Sequence, residues 1–252
     1  MEPSLVDLDC IVQGGMKVGI VGRTGAGKST ILQVLFRLTE VCGGRILIDG
    51  QDLKEMGLHK LRKSIAYIPQ QPFLIQGTIR ENIDPFHEYS DETIIDTIKE
   101  VKLWSHIENN CANGLNTILT ESNSLFSLGQ KQLFCLARAI IRKTKVLVLD
   151  EATANVDLVT DNFIQETLKN SFKNCTVLII AHRLATVIDS DRILVMDKGH
   201  GVEFDHPYNL LVNDSGDSSI TKDGFFSKMV KATGEDTADS LFNIAKEKFD
   251  SS

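Results

Sequence analysis

The sequence predicts an α/β fold, with buried parallel strands that deliver polar side chains at their carboxyl ends. Three stretches predict it. The first is Gly22-Arg23-Thr24-Gly25-Ala26-Gly27-Lys28-Ser29-Thr30, which follows an apolar run at residues 18–21 and opens a helical pattern at residues 31–36. The second is Val146-Leu147-Val148-Leu149-Asp150-Glu151, a continuous apolar run that ends in two carboxylates, as suits a strand covered on both faces. The third is Thr176-Val177-Leu178-Ile179-Ile180-Ala181, another buried-strand run with His182 just past its end.

Strand, glycine loop and helix form the context that a phosphate-binding loop needs, and the spacing G-x-x-x-x-G-K-[ST] falls on Gly22, Gly27, Lys28 and Ser29. The glycines allow backbone N–H groups to turn inward as an anion nest. The helix that starts near Lys28 aims its positive end at the same point. Lys28 can reach the outer phosphates of a nucleotide, Ser29 can ligate Mg²⁺, and Thr30 can help hold phosphate. At the second stretch, Asp150 would hold Mg²⁺ directly or through water. Adjacent strand residues face opposite sides, which leaves Glu151 free to orient and deprotonate an attacking water.

Taken in order, residues 1–21 read as strands, with Gly14-Gly15 as a turn. Gly43-Gly44 breaks the helix after the phosphate loop, and residues 45–50 read as a strand that ends in an Asp-Gly turn. A short helix at residues 58–63 leads to a strand at residues 64–68, which Pro69 stops, and Gln70 begins an exposed loop. Residues 78–142 are mostly helical in pattern. Asp91-Glu92 cap one helix, with Ile94, Ile95, Ile98 and Val101 on its apolar face, and a second long helix spans residues 130–141. Trp104 reads as a packing residue. A helix at residues 157–170 precedes the strand at residues 175–181. A further strand at residues 193–196 ends in an Asp197-Lys198-Gly199 turn, and helices follow at residues 225–229 and 241–249.

A net charge of −7 and a pI near 5.4 argue against a nucleic-acid-binding surface. The five cysteines are widely spaced and lack a C-x-x-C pair, so they read as reduced, small buried hydrophobes. No apolar run approaches the ~18 residues of a membrane span.

Seven elements in this order resemble the ATP-binding cassette (ABC) family. They are residues 22–30, Gln70 at the Q-loop, Phe126-Ser127-Leu128-Gly129-Gln130 as the signature, the strand at residues 146–150, Glu151, Ala154-Asn155-Val156-Asp157 as the D-loop, and His182 as the switch histidine. Gly77-Thr78-Ile79-Arg80-Glu81-Asn82-Ile83-Asp84-Pro85-Phe86, the run from Ala181 to Ser190 and the tail Glu203-Phe204-Asp205-His206-Pro207 resemble the second nucleotide-binding domain of subfamily C, the multidrug-resistance-associated exporters. The resemblance implies a P-loop NTPase (RecA-like) core with an antiparallel β subdomain and an inserted α-helical subdomain. On that reading residues 1–234 are the ATP-binding domain. It divides into a β-rich and phosphate-loop part (1–66), a helical subdomain (77–143) and a core with the acid pair and the histidine (144–205), and residues 235–252 are a helical tail.

The resemblance also implies an ATPase that drives export, with ATP and Mg²⁺ as cofactors. Residues 22–30 would cradle the triphosphate, and Ser29, Gln70 and Asp150 would lie around the metal. Glu151, His182 and Gln70 would serve catalysis, while Ser127, Leu128, Gly129 and Gln130 would complete the ATP site of a partner domain. The implied partners are the first nucleotide-binding domain and the transmembrane domains of the same transporter. The chain would then lie at the cytoplasmic face of a membrane, the plasma membrane foremost, and touch it only through those domains. Two departures carry consequences. Phe126 and Leu128 stand where the family usually has Leu and Gly, which would weaken the opposite ATP site. No aromatic precedes Phe36, although the family stacks adenine on one; truncation of a longer transporter is the favoured account, and a loosely held adenine the alternative. The rival readings are a soluble ABC ATPase of DNA repair or translation, an ATP-sensing module without turnover, and a P-loop kinase. The first would carry a coiled coil or a basic patch, the second has no use for Glu151, and the third has none for Ser127 to Gln130 or His182.

Overall fold

A computed structural model describes residues 3–120, 125–152, 156–214 and 217–251. In chain order the elements are β1 (Lys17–Gly22), α1 (Lys28–Leu35), β2 (Leu47–Ile48), β3 (Gln51–Asp52), α2 (Leu58–Ser64), β4 (Ile65–Ile68), β5 (Gly77–Thr78), α3 (Ile79–Ile83), α4 (Asp91–Glu100), α5 (Trp104–Asn110), β6 (Ile118–Leu119), α6 (Leu128–Arg142), β7 (Val146–Asp150), α7 (Leu158–Ser171), β8 (Thr176–Ile180), β9 (Arg192–Asp197), β10 (His200–Asp205), α8 (Phe225–Lys231) and α9 (Glu235–Asp250). They gather into two compact units, Met1–Arg62 with Thr176–Ser252, and Lys63–Cys175. Among the described residues, no helix is long and apolar enough to cross a membrane.

In the first unit β1 is flanked by β8 and β9, both parallel to it, so that Ile20 lies opposite Ile180 on one side and Leu194 on the other. These strands are apolar without a break because they are covered: Val18, Ile20, Val21, Ile179, Ile180 and Ile193 are all buried. β10 runs antiparallel to β9 through the expected turn, where Lys198 and Gly199 both take left-handed backbone angles. The sequence pattern did not predict β10, because its exposed first half shows no apolar alternation. Glu203 on β10 accepts hydrogen bonds from the amides of Phe225 and Phe226, both at 2.8 Å, and so caps α8 with a negative charge at its positive end.

Two expectations are corrected in this unit. Residues 1–21 do not read as successive strands, since none precedes Lys17 among the described residues. Leu5 and Leu8 act as plugs: their methyl groups lie against the Cα positions of Gly27 and Gly201, while Ile11 is 81% exposed. Bonds from the Val6 amide to the Gly199 carbonyl, 2.9 Å, and from the Gly15 amide to the Thr176 hydroxyl, 3.0 Å, tie this segment down. The strand expected at residues 45–50 shortens to a two-residue hairpin of β2 and β3.

In the second unit β4 pairs in parallel with β7, Tyr67 opposite Val148 and Ile68 opposite Leu149. The helices follow their apolar spacing. Ile94 and Ile98 are buried on α4, and Leu133, Phe134, Leu136, Ala137 and Ile141 on α6. The cap of α4 is Ser90, one residue before the expected Asp91-Glu92, which instead supply negative charge to the first turn. Helix α6 starts earlier than expected because Ser127 and Gln130 form a reciprocal capping box. Behind it the Arg138 guanidinium donates to the carbonyls of Asn82 and Phe73. Asn82 bonds both backbone groups of Ile75 in turn, which fixes the loop between β4 and α3. The cysteines are all free, but only Cys111 and Cys135 are buried; Cys10 and Cys42 are exposed, contrary to expectation.

Candidate functional site

The carboxyl ends of the parallel strands carry the candidate residues, in keeping with where open α/β sheets bind ligands. In the first unit β1 delivers the chain into residues 22–30. Gly22 has φ 153°, and a Cβ there would lie 2.3 Å from the Met196 carbonyl oxygen, so only glycine lets the strand end pass β9. Gly27 has φ 101° and caps α1, with the Leu5 methyl 2.9 Å from where its Cβ would be. Arg23, Thr24 and Gly25 are exposed and Ala26 is buried. Lys28 is buried, and its ammonium donates to the carbonyls of Gly22 (2.7 Å) and Arg23 (3.1 Å). The loop thus fixes its own cation. Ser29 and Thr30 follow in the first turn of α1, where the Thr30 amide bonds the Gly27 carbonyl at 3.0 Å. His182 is exposed one residue beyond Ala181, whose amide bonds the Ile20 carbonyl at 3.2 Å. The first unit therefore sets the histidine beside the strand that feeds the glycine loop.

In the second unit β7 ends at Asp150. Residues 148 and 150 face the same side of a strand, and Tyr67 is the register partner of Val148, so its side chain leans along the sheet to Asp150. The Tyr67 hydroxyl donates to Oδ2 of Asp150 at 3.2 Å. Burial, followed by the Asp150 charge and this hydrogen bond, pushes the Tyr67 phenol up to about 12, so it remains a donor at neutral pH. Glu151 departs from the reason expected for its separate direction: it has left the strand, with φ 44°. Such backbone angles in a non-glycine residue cost about 1–3 kcal/mol and cluster at functional sites. Its Oε2 accepts a 2.8 Å hydrogen bond from Nε2 of the exposed Gln70. The unit thus brings Gln70 and Glu151 together, with Tyr67 on Asp150 beside them.

At the start of α6, Ser127 is the N-cap, and its side chain accepts from the Gln130 amide at 3.2 Å. Leu128 sits in the first helical turn with 44% of its surface exposed, a position that does not require glycine in this chain. Gly129 is buried against Thr160 and Val156 at the start of α7. Asp157 caps α7, and hydrogen bonds from the Thr160 amide and hydroxyl hold its carboxyl below the usual range. Ala154 and Asn155 of the expected D-loop lie outside the described residues.

The donor chemistry fits Mg²⁺. In the second unit the Tyr67 bond leaves Oδ1 of Asp150 and the Glu151 bond leaves the carbonyl oxygen of Gln70, two hard oxygen donors of the kind a metal that keeps water and phosphate ligands takes. Among the described residues no group of three or more His, Cys, Asp or Glu is gathered for a metal.

Sequence reasoning missed Tyr67 and Gln132. The buried Gln132 on α6 donates to the Pro69 carbonyl at 3.1 Å and so pins the residue before Gln70. Tyr67 carried a usable signal in the strand alternation, but its partner is set by register with a distant strand.

Comparison with known proteins finds the ABC transporter family. The family profile described as ABC transporter matches residues 5–154. A probable multidrug resistance-associated protein of Drosophila melanogaster, lethal(2)03659, is 49% identical over 251 residues, covering 100% of this chain and 18% of its own length. The human ATP-binding cassette sub-family C member 4 is 49% identical over 243 residues, covering 96% and 18%. Among solved structures, a bacterial Atm1-family ABC exporter with ATP bound superposes with a TM-score of 0.80 at 33% identity, covering 92% of this chain and 39% of that one. The chain thus spans about a fifth of the length of the curated relatives it matches.

Proposed function

This chain belongs to the ABC transporter family, a cassette that binds ATP and carries the ATPase machinery of that family, and we propose that it is the second nucleotide-binding domain of a subfamily C exporter, turning over Mg²⁺-ATP to drive export of an organic anion or xenobiotic. The observation that carries the reading is the Gln70–Glu151 pair at 2.8 Å, a polarised carboxylate next to a likewise engaged Asp150. Similarity over 96–100% of the chain to a probable multidrug resistance-associated protein and to a sub-family C member supports the exporter assignment.

In the proposed mechanism the amides of residues 25–29 and the ammonium of Lys28 bind the β- and γ-phosphates. Lys28 exchanges its carbonyl partners for phosphate oxygens. Ser29, Gln70 and Asp150 would hold Mg²⁺, which supplies charge neutralisation at the phosphates. Glu151 accepts a proton from the attacking water, and the Gln70 amide orients its carboxylate. His182 donates to a γ-phosphate oxygen. Most of the rate comes from positioning and charge stabilisation. Ser127, Leu128, Gly129 and Gln130 act in trans on ATP held by the first nucleotide-binding domain. Residues 78–86 and α4 meet the transmembrane domains at the cytoplasmic face of the membrane, and ATP-driven closure pushes on those domains.

The test is phosphate release by the chain with and without a subfamily C first nucleotide-binding domain. The reading predicts turnover that rises when both are present. Turnover that is absent in both cases, with no ATP bound, would remove it.

A further inference from the structure

We propose that Tyr67 is a positioning residue for the metal-binding acid: its hydroxyl holds Oδ2 of Asp150 and leaves Oδ1 as the oxygen that Mg²⁺ takes. The inference rests on the reading of Asp150 given above. A carboxylate at a strand end is otherwise free to rotate, and it can offer both oxygens or either one. Mg²⁺ demands near-ideal octahedral geometry, which a carboxylate meets best through a single oxygen. A donor fixed on the other oxygen selects that mode and tempers the charge, as partners behind metal ligands generally do.

The surroundings make Tyr67 a firm support. Its neighbours on β4, Ile65, Ala66 and Ile68, are buried, and its backbone is paired to Val148 on the strand that carries Asp150. The following turn is held by Gln132 of α6 on the Pro69 carbonyl and by Gln70 on Glu151. One short strand and the turn that follows it therefore reach both acids, Asp150 through Tyr67 and Glu151 through Gln70.

The test is binding of a fluorescent trinitrophenyl-ATP to the 252-residue chain across a Mg²⁺ titration, alongside thermal melting. Tyr67→Phe should need on the order of tenfold more Mg²⁺ for half-maximal effect. Affinity in EDTA should not change, and the shift should disappear in an Asp150→Asn background. A Tyr67→Phe midpoint equal to the wild-type one, or a shift that persists beside Asp150→Asn, would overturn the proposal. If Tyr67→Phe melts early, the Asp150→Asn background still decides, because a fold defect persists there and a positioning effect does not. Failure of the underlying ATP reading looks different: the wild-type chain itself would show no Mg²⁺-dependent binding.

Discussion

Gln70 and Glu151, eighty-one positions apart in sequence, meet through a 2.8 Å bond from Nε2 of the amide to Oε2 of the carboxylate. The glutamate reaches it by taking a left-handed backbone angle, so the contact is made at a cost in strain. Gln70→Ala should remove the amide donor and leave the carboxylate in place. Single-turnover phosphate release should fall by on the order of 10–100-fold, while ATP affinity measured without Mg²⁺ stays within about threefold, because the amide serves the carboxylate and the metal and not the nucleotide. Equal losses in both would point to a binding role instead.

Ser127 caps α6, which carries much of the buried face of the second unit. Ser127→Ala should cost about 1 kcal/mol of stability, read as a lower urea midpoint with an unchanged slope. Ser127→Asn, a good cap, should restore the midpoint yet leave ATP trapping with the partner domain impaired. That split separates the structural role of the residue from its proposed role in trans.

His206 gives the chain a pH dependence. It is buried, its Nδ1 accepts from the Tyr208 amide at 3.2 Å, and Phe249 of α9 packs on its ring at 5.2 Å. Burial first, then the charge of Arg192, holds it below the ordinary histidine value; Lys248 acts in the same direction, while Asp205 and Asp191 oppose. A base depressed in the folded state takes up its proton more readily when unfolded. The stability it confers is therefore complete above the unfolded value of about 6.5 and is lost as pH falls below it. His206→Asn retains an acceptor for Tyr208 but does not titrate, so it should lose less stability than the wild type between pH 7.5 and 5.5 in urea melts.

The phosphate loop was legible because its chemistry is local: Gly22, Gly27, Lys28 and Ser29 lie within eight positions, between a strand and a helix. The runs ending at Asp150 and before His182 were legible because strands covered on both faces are apolar throughout. Pairings between distant residues were not legible. Tyr67 reaches Asp150 through a register that puts it opposite Val148, and the pattern around Tyr67 does not name that partner. Leu5 and Leu8 resemble strand residues in sequence but act as plugs over glycines, a use that only the folded neighbours define. Ser127-x-x-Gln130 was a readable capping box, and it starts α6 two residues before the apolar period alone does.

The central claim is that the triphosphate held at Lys28 is the one cleaved with the help of Glu151. The most direct measurement is the identity of the nucleotide retained on Glu151→Gln and on the wild-type chain after incubation with labelled ATP, Mg²⁺ and a subfamily C first nucleotide-binding domain. The account predicts intact ATP on the variant, and released phosphate with bound ADP on the wild type. Equal phosphate release from both would contradict it.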